Sequence, residues 1–394
     1  MVKRQLTQQI KEIAKKMPVV AVLGPRQSGK TTLVKVAFPN YNYVNFEDLE
    51  IREFAKDDPK AFLENYNSPV IFDEIQYVPN LFSYIQLEVD NKPKETSYIL
   101  TDSQNILLLE SINQSLAGRI ALFNLLPFSL TELTGTIYDC DKIDSFLFNG
   151  FYPRIYDNNL DPSQWLSSYV KTYVEKDVRQ MVSIGDLSSF IMFLKVCAGR
   201  VGHLVNFSAI ANEIGVSYQT VKRWISILEA SYIIYKLPPF YKNVNKRVVK
   251  TNKLYFYDVG LVTYLLGIRN EDQLLSHYAR GELFENMIVM EIVKNIYNKG
   301  LEIPLHFWRD RSGNEVDLLV EAGDRPIAIE IKSSKTIRSS FDKGLQYLQK
   351  IKVTDSNCSF VIYGGDKNER RTLSQFIGWK NSGKISMIEI REQV

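Results

Sequence analysis

The chain has 394 residues, of which 45% are hydrophobic, 12% aromatic and 24% charged, with a formal net charge of +3. At about 150 residues per domain this is material for two or three cores, and so many large apolar side chains exclude a disordered chain. The small net charge excludes a global field pulling the chain onto nucleic acid or an anionic membrane, so such binding needs a local patch. No apolar run approaches the roughly 20 residues of a spanning helix, so no membrane partner is expected. Cys140, Cys197 and Cys358 lie far apart and share no metal-type spacing with the three histidines. This predicts a reducing, cytoplasmic setting without disulfides or a zinc knot.

The segment "VVAVL" reads as a buried strand and runs directly into "GPRQSGKTT" and a helix-like stretch. Gly24, Gly29, Lys30 and Thr31 match G-x-x-x-x-G-K-[ST] in the strand, loop, helix context that motif requires. Glycines let successive N–H groups turn inward around phosphates, a lysine reaches the outer phosphates, and a hydroxyl suits magnesium. The expected cradle for ATP and Mg2+ is therefore Gly24, Pro25, Arg26, Gln27, Ser28, Gly29, Lys30, Thr31 and Thr32. Further on, "PVIFDEIQ" is an apolar strand ending in two carboxylates. Asp73 is placed to hold the metal with Thr31, and Glu74 to orient or deprotonate an attacking water. With "YNYVNF", "SYILT" and "IALFNLL", five short strands alternate with helical stretches. That pattern predicts an α/β fold on a parallel sheet, with ligands at the carboxyl ends of the strands.

Together "GPRQSGKTTL", "IFDEIQ", "TDSQN", "QSLAGRI" and "LLPFSLTEL" resemble prokaryotic AAA-type P-loop ATPases that carry a C-terminal domain of uncharacterised function. The resemblance spans nearly the whole chain. It implies a phosphate sensor at the third strand end, normally T-G-S-Q, which assigns Ser103 and Gln104 here; Asp102 replaces the glycine. Arg119 in "LAGR" is the candidate charge-neutralising arginine, acting in cis or from the neighbouring subunit of a homo-oligomer, with helix capping the alternative.

Residues 139–190 are helical and aromatic, and "GFYPRIY" reads as core in a lid or linker. In "FSAIANEIGVSYQTVKRWISILEASYIIYKL", helical spacing is broken by Gly215. Ser217 can cap a second helix whose Val221, Trp224, Ile225 and Leu228 share one face. This is a helix-turn-helix, and "YIIYKL" with "NKRVVKTNKLYFY" predicts the wing of a winged helix. Lys242, Lys246, Arg247, Lys250 and Lys253 there lack acidic sequence neighbours. Tyr218, Gln219, Lys222 and Arg223 would face a DNA groove while the hairpin touches phosphates; the alternative is a protein adaptor.

In the last third, "GELFENMIVMEIV" reads as a helix, and "HFWRDRSGNEVDLLVE" and "RPIAIEIKSS" as two strands joined by a turn at "AGDR". Asp317 stands on the first strand. Glu330 and Lys332, two apart, share a face of the second. Two carboxylates and a lysine at one point suit magnesium-assisted phosphodiester cleavage, with Glu285 from the helix a further ligand. This resembles the PD-(D/E)XK nuclease fold: Asp317 matches its aspartate, Glu330 and Lys332 its E-x-K, and Glu285 its helical glutamate.

The expected domains are 1–138 (ATPase core), 139–190 (helical lid), 191–268 (winged helix) and 269–394 (a restriction-endonuclease-like α/β domain). The expected function is an ATPase coupling nucleotide state to DNA binding or processing. The alternative is a nucleotide-gated switch or assembly factor whose inactive nuclease-like domain binds protein partners.

Overall fold

The computed structural model describes residues 1–91, 97–103, 115–174, 187–240, 251–302, 304–321 and 325–385. The chain forms two units. The first comprises Met1–Phe128 with Ala230–Tyr232 and Tyr297–Leu301; the second comprises Ser129–Glu229, Ile233–Ile296 and Glu302–Val394. The expected segments 139–190, 191–268 and 269–394 thus fall in the second unit, apart from the two short stretches assigned to the first.

The first unit is built on β1 (Val19–Leu23), β2 (Asn42–Asn45), β3 (Val70–Asp73), β4 (Tyr98–Asp102) and β5 (Ile120–Asn124). The sheet order is β2-β3-β4-β1-β5, and every pairing is parallel. Every residue of β1 is buried, as a central strand covered on both faces requires. Helix α1 (Leu6–Ile13) buries Leu6 and Ile10, one turn apart, beside Val20, Val22 and Leu33, the last from α2 (Lys30–Ala37). Helix α3 (Leu81–Asn91) precedes β4. Because β4 lies between β3 and β1, the ends carrying Asp73, Asp102 and Gly24 are neighbours: Leu23 pairs with Asp102, and Phe72 with Leu100.

In the second unit, Phe146, Phe151, Tyr152 and Tyr169 are buried, so the aromatics around "GFYPRIY" are core. Helix α4 (Leu187–Ala198) precedes α5 (Phe207–Ile214) and α6 (Tyr218–Ala230), followed by β6 (Ile234–Leu237) and β7 (Lys253–Phe256), an antiparallel pair. Gly215 ends α5 at φ 72°, a left-handed conformation that suits glycine. The Ser217 hydroxyl accepts the Thr220 N–H at 3.0 Å and caps α6. Val221, Trp224, Ile225 and Leu228 are buried, with the Trp224 ring 5.4 Å from Phe190 and 5.2 Å from Phe193. Leu204, between α4 and α5, bridges Lys253 of β7.

Helix α7 (Arg280–Asn298) leads into a six-stranded mixed sheet. Its strands are β8 (Leu305–Arg309), β9 (Glu315–Val320), β10 (Ile327–Lys332), β11 (Ser359–Tyr363), β12 (Glu369–Arg370) and β13 (Gln375–Gly378), in the order β12-β13-β11-β10-β9-β8. β8, β9 and β10 run antiparallel, and β11 joins β10 in parallel after α8 (Lys343–Lys350). The expected single strand "HFWRDRSGNEVDLLVE" is therefore corrected to a hairpin. The Asp310 carboxylate accepts the Asn314 N–H at 2.9 Å, and Gly313 takes φ 88°. The "AGDR" turn falls mostly on 322–324, outside the described residues. Among the described residues, no helix is long and apolar enough to cross a membrane.

Candidate functional site

Strand β1 ends at Leu23 and the chain turns through Gly24 (φ 149°), Gln27 (φ 65°) and Gly29 (φ 92°) into α2. Gly29, the N-cap of α2, makes no side-chain cap hydrogen bond, an arrangement in which first-turn N–H groups suit an anion. A Cβ on Gly24 would collide with the Leu125 carbonyl oxygen. Gly24→Ala is therefore expected to cost at least the roughly 1–3 kcal/mol of a forced backbone conformation and to weaken nucleotide binding. Thermal unfolding and a fluorescent-nucleotide titration check this; unchanged values in both would contradict the geometry.

Lys30 is 5% exposed, and its ammonium donates to the Gly24 and Pro25 carbonyls at 2.9 Å each. Burial draws its pKa below the ordinary value, partly opposed by the charges of Glu74, Asp102 and Asp73. Asp102, which stands where the family glycine was expected, is thus an attractive charge for Lys30. Thr31 donates its hydroxyl to Asp73 Oδ2 at 2.9 Å, and the Tyr43 phenol donates to the same oxygen at 2.6 Å. Burial, then this bond to Asp73, raises the Tyr43 pKa. Thr101 donates its hydroxyl to Asp73 Oδ1 and accepts the Glu74 N–H at 3.2 Å.

Glu74 takes φ 57°, a left-handed backbone rare outside glycine that persists only where neighbours hold it. Its carboxylate accepts from Gln76 Nε2 at 2.5 Å and from the Ser103 hydroxyl at 2.8 Å. The structure thus brings together Lys30, Thr31, Asp73, Glu74 and Ser103. Gln104 lies outside the described residues. Within the loop, Pro25, Arg26 and Ser28 are buried, while Thr32 on α2 is exposed.

Arg119 immediately precedes β5, whose first residue pairs with Val19, so it sits at the amino end of the strands. The phosphate loop follows Leu23, at the opposite end. At the amino end Arg119 forms a two-point ion pair with Asp90 of α3, at 2.5 and 3.0 Å. Five residues of strand, about 16 Å, separate it from its own loop, which argues against the in-cis role.

Sequence reasoning missed Arg4. It is 8% exposed and donates to the Ser28 carbonyl at 2.8 Å and the Leu126 carbonyl at 2.6 Å, bracing the loop from the chain's amino end. No motif announces it. Thr101 and Tyr43 were also missed, although both stand on strands the pattern identified.

The resident groups expected here fit the residues present. Ser28 is fully buried and its hydroxyl finds no hydrogen-bond partner among the described residues, so a phosphate oxygen in the cradle would satisfy it. The carboxylate and hydroxyl oxygens of Asp73 and Thr31 are the hard donors magnesium takes.

A second cluster lies in the second unit. Asp317, Glu330 and Lys332 meet as expected: the Lys332 ammonium is 3.2 Å from Asp317 Oδ2 and 2.5 Å from Glu330 Oε2. Asp317 Oδ2 also accepts the Ile331 N–H at 2.8 Å. Lys253 departs from expectation. Read as part of an exposed basic hairpin, it is instead 3% exposed. Its ammonium lies 3.1 Å from Glu285 Oε1, 2.5 Å from Glu315 Oε1 and 4.0 Å from Asp317 Oδ1. The Tyr255 phenol, on the same face of β7, donates to Glu285 Oε1 at 2.6 Å.

Burial works against the charge on Lys253, but Glu285, Asp317 and Glu315 outweigh it and hold its pKa above the ordinary value. Burial, then the Asp317 charge, lifts Glu330 well above the carboxylate range. Burial opposes ionisation of Asp317 too, yet Lys332 and Lys253 hold it low. The magnesium expected at Glu285, Asp317 and Glu330 does not fit: an ammonium stands between Glu285 and Asp317. Among the described residues no three metal-binding side chains are grouped to hold an ion.

On α6, Tyr218, Gln219, Lys222 and Arg223 are all exposed, opposite the buried face. Lys242, Lys246, Arg247 and Lys250 lie outside the described residues.

Comparison with known proteins finds a family match over the segment that carries the first site. The AAA domain family matches residues 16–134. Two domains of unknown function follow, DUF8612 over 140–272 and DUF4143 over 280–381. The match over 16–134, on a parallel sheet with this loop, makes that segment similar to P-loop ATPase domains of the AAA type. Uncharacterized proteins of Mycobacterium bovis and Mycobacterium tuberculosis are each 26% identical over 369 residues, covering 92% of this chain and 80% of their own. The Walker-type ATPase of Pyrococcus abyssi superposes with a TM-score of 0.46 at 15% identity, over 66% of this chain and 94% of its own.

Proposed function

We propose that this chain is a magnesium-dependent ATP hydrolase whose nucleotide state governs docking of α6 on DNA. The observation that supports hydrolysis is the arrangement at the carboxyl ends of β1, β3 and β4: Thr31 bonded to Asp73, and Glu74 held between Gln76 and Ser103. The backbone of residues 24–31 and the Lys30 ammonium would hold the phosphates, and Thr31 and Asp73 the magnesium. Bound magnesium supplies charge neutralisation on the outer phosphates. Glu74, fixed at both carboxylate oxygens, orients a water and takes its proton. Ser103 links that carboxylate to the end of β4, where an outer phosphate would be sensed. Arg119 acts on this reading only from a neighbouring copy, which makes a homo-oligomer the working form.

The DNA reading draws on α4, α5, α6 and the β6/β7 pair as a winged helix, with Leu204 supplying the third strand position at β7. Tyr218, Gln219, Lys222 and Arg223 form its exposed face, beside a groove of about 610 Å³ lined partly by Phe207, Tyr218, Lys236 and Asn252. Coupling has a covalent route. The chain leaving α6 reaches Tyr232, in the first unit, whose phenol donates to Asn124 at 2.6 Å, and Asn124 pairs with Leu23 next to the phosphate loop. Fluorescence anisotropy of a labelled duplex tests the docking face. Lys222→Ala with Arg223→Ala should weaken binding and lower the logarithmic salt slope by about 2. Unaltered affinity and slope would remove α6 from the interface.

A second reading, a nucleotide-gated assembly factor with an inactive nuclease-like domain, is favoured by the position of Lys253. ATP turnover measured with and without duplex DNA separates the two readings: stimulation by DNA supports the first, and turnover indifferent to DNA supports the second.

A further inference from the structure

The second cluster sets the carboxylates expected of a metal-dependent phosphodiesterase around a buried lysine. We infer that Lys253 is the resident cation among Glu285, Glu315 and Asp317, beside the Lys332–Glu330 pair, so that this site takes up no divalent metal while β7 is in place.

Three observations carry this. First, the ammonium is within 4.0 Å of carboxylate oxygens on α7 and at two positions of β9, the span a bridging metal ion would have to cover. Second, several oxygens of the cluster carry further donors. Asp317 Oδ2 is taken by Lys332 and the Ile331 N–H, Glu330 Oε2 by Lys332, and Glu285 Oε1 by the Tyr255 phenol. Helix α8 closes over Glu330, since a Cβ on Gly344 would collide with Glu330 Oε1. Third, Lys253 is not a swinging surface side chain. Its backbone pairs with Leu237 of β6 on one side and Leu204 on the other, so β7 delivers the ammonium from a fixed strand.

A divalent ion entering here would have to expel a buried ammonium and leave it without a counter-charge, a substitution with no gain in the number of paired carboxylates. The cluster therefore works as an ion lock joining β7, α7, β9 and β10. The phosphodiesterase chemistry that its residue types suggest is blocked by the chain itself.

The test is Mn2+ binding to the full chain without nucleotide, followed by electron paramagnetic resonance, in the parent protein, Asp317→Asn, Lys253→Met and the double variant. The parent and Asp317→Asn should bind the same number of ions, because the phosphate-loop site is common to both. Lys253→Met should gain one ion, and adding Asp317→Asn should remove it. A parent chain that loses a bound Mn2+ on Asp317→Asn overturns the inference, and this comparison holds even if Lys253→Met does not fold. A folded Lys253→Met that gains no ion equally overturns it, since Lys253 would not be what excludes the metal.

Discussion

In Glu74→Gln, ATP turnover is expected to fall by about 10²- to 10⁴-fold, the usual contribution of a positioned general base, with nucleotide affinity retained. Glutamine keeps the shape and can still meet the Ser103 hydroxyl and Gln76, so the left-handed backbone at Glu74 stays supported. It cannot take a proton. Lys30, Thr31 and Asp73 are untouched, and they carry the expected binding of phosphates and magnesium. Single-turnover hydrolysis beside a nucleotide titration measures both effects at once. Turnover preserved in Glu74→Gln would place the base elsewhere, and joint loss of turnover and affinity would make Glu74 a support of the loop.

The second large effect is on stability. Lys253→Met keeps an unbranched apolar stem but removes an ammonium that is buried among Glu285, Glu315 and Asp317. Removing one partner of a buried ion pair leaves uncompensated charge and typically costs about 3–5 kcal/mol. The loss should depend on pH in a definite direction. Burial, then the Asp317 charge, already lifts the Glu285 pKa, so folding favours its protonated form, and Lys253 is among the groups opposing that shift. A raised folded-state pKa contributes stability that is present below the unfolded value and lost as pH rises through the folded one. Without Lys253 the rise is larger, so the variant's deficit widens from mildly acid to neutral pH. Urea unfolding at several pH values checks this, and a deficit flat across that range would show that the carboxylates are not the groups left exposed to the change.

The first site was largely legible because its chemistry is local. A phosphate loop needs its glycines, lysine and threonine within eight residues, and strand ends bearing Asp73 and Glu74 follow from one apolar run. The two helices flanking Gly215 were legible for the same reason: the 3.6-residue period and the Ser217 cap are written in adjacent positions.

Lys253 shows where such reading fails. Its sequence neighbours are basic and carry no acid, so the run reads as a solvated hairpin, whereas β7 turns this one side chain into a cluster whose acids lie 32, 62 and 64 positions away at Glu285, Glu315 and Asp317. Charge pairing across such separations is set by tertiary packing, which composition does not encode. Arg4 is similar, being 24 residues from the Ser28 carbonyl it holds and 122 from that of Leu126. The missed β8–β9 hairpin is a different error. "DRSGN" carried turn residues, and the strand-like residues on both sides masked them.

The central claim is that the phosphate loop of the first unit drives ATP hydrolysis. Its most direct measurement is ATP turnover by the purified chain with magnesium, beside Lys30→Ala prepared in parallel. The account predicts magnesium-dependent turnover in the parent and its loss in Lys30→Ala. Equal turnover in both, or none in a parent that binds ATP, would contradict it.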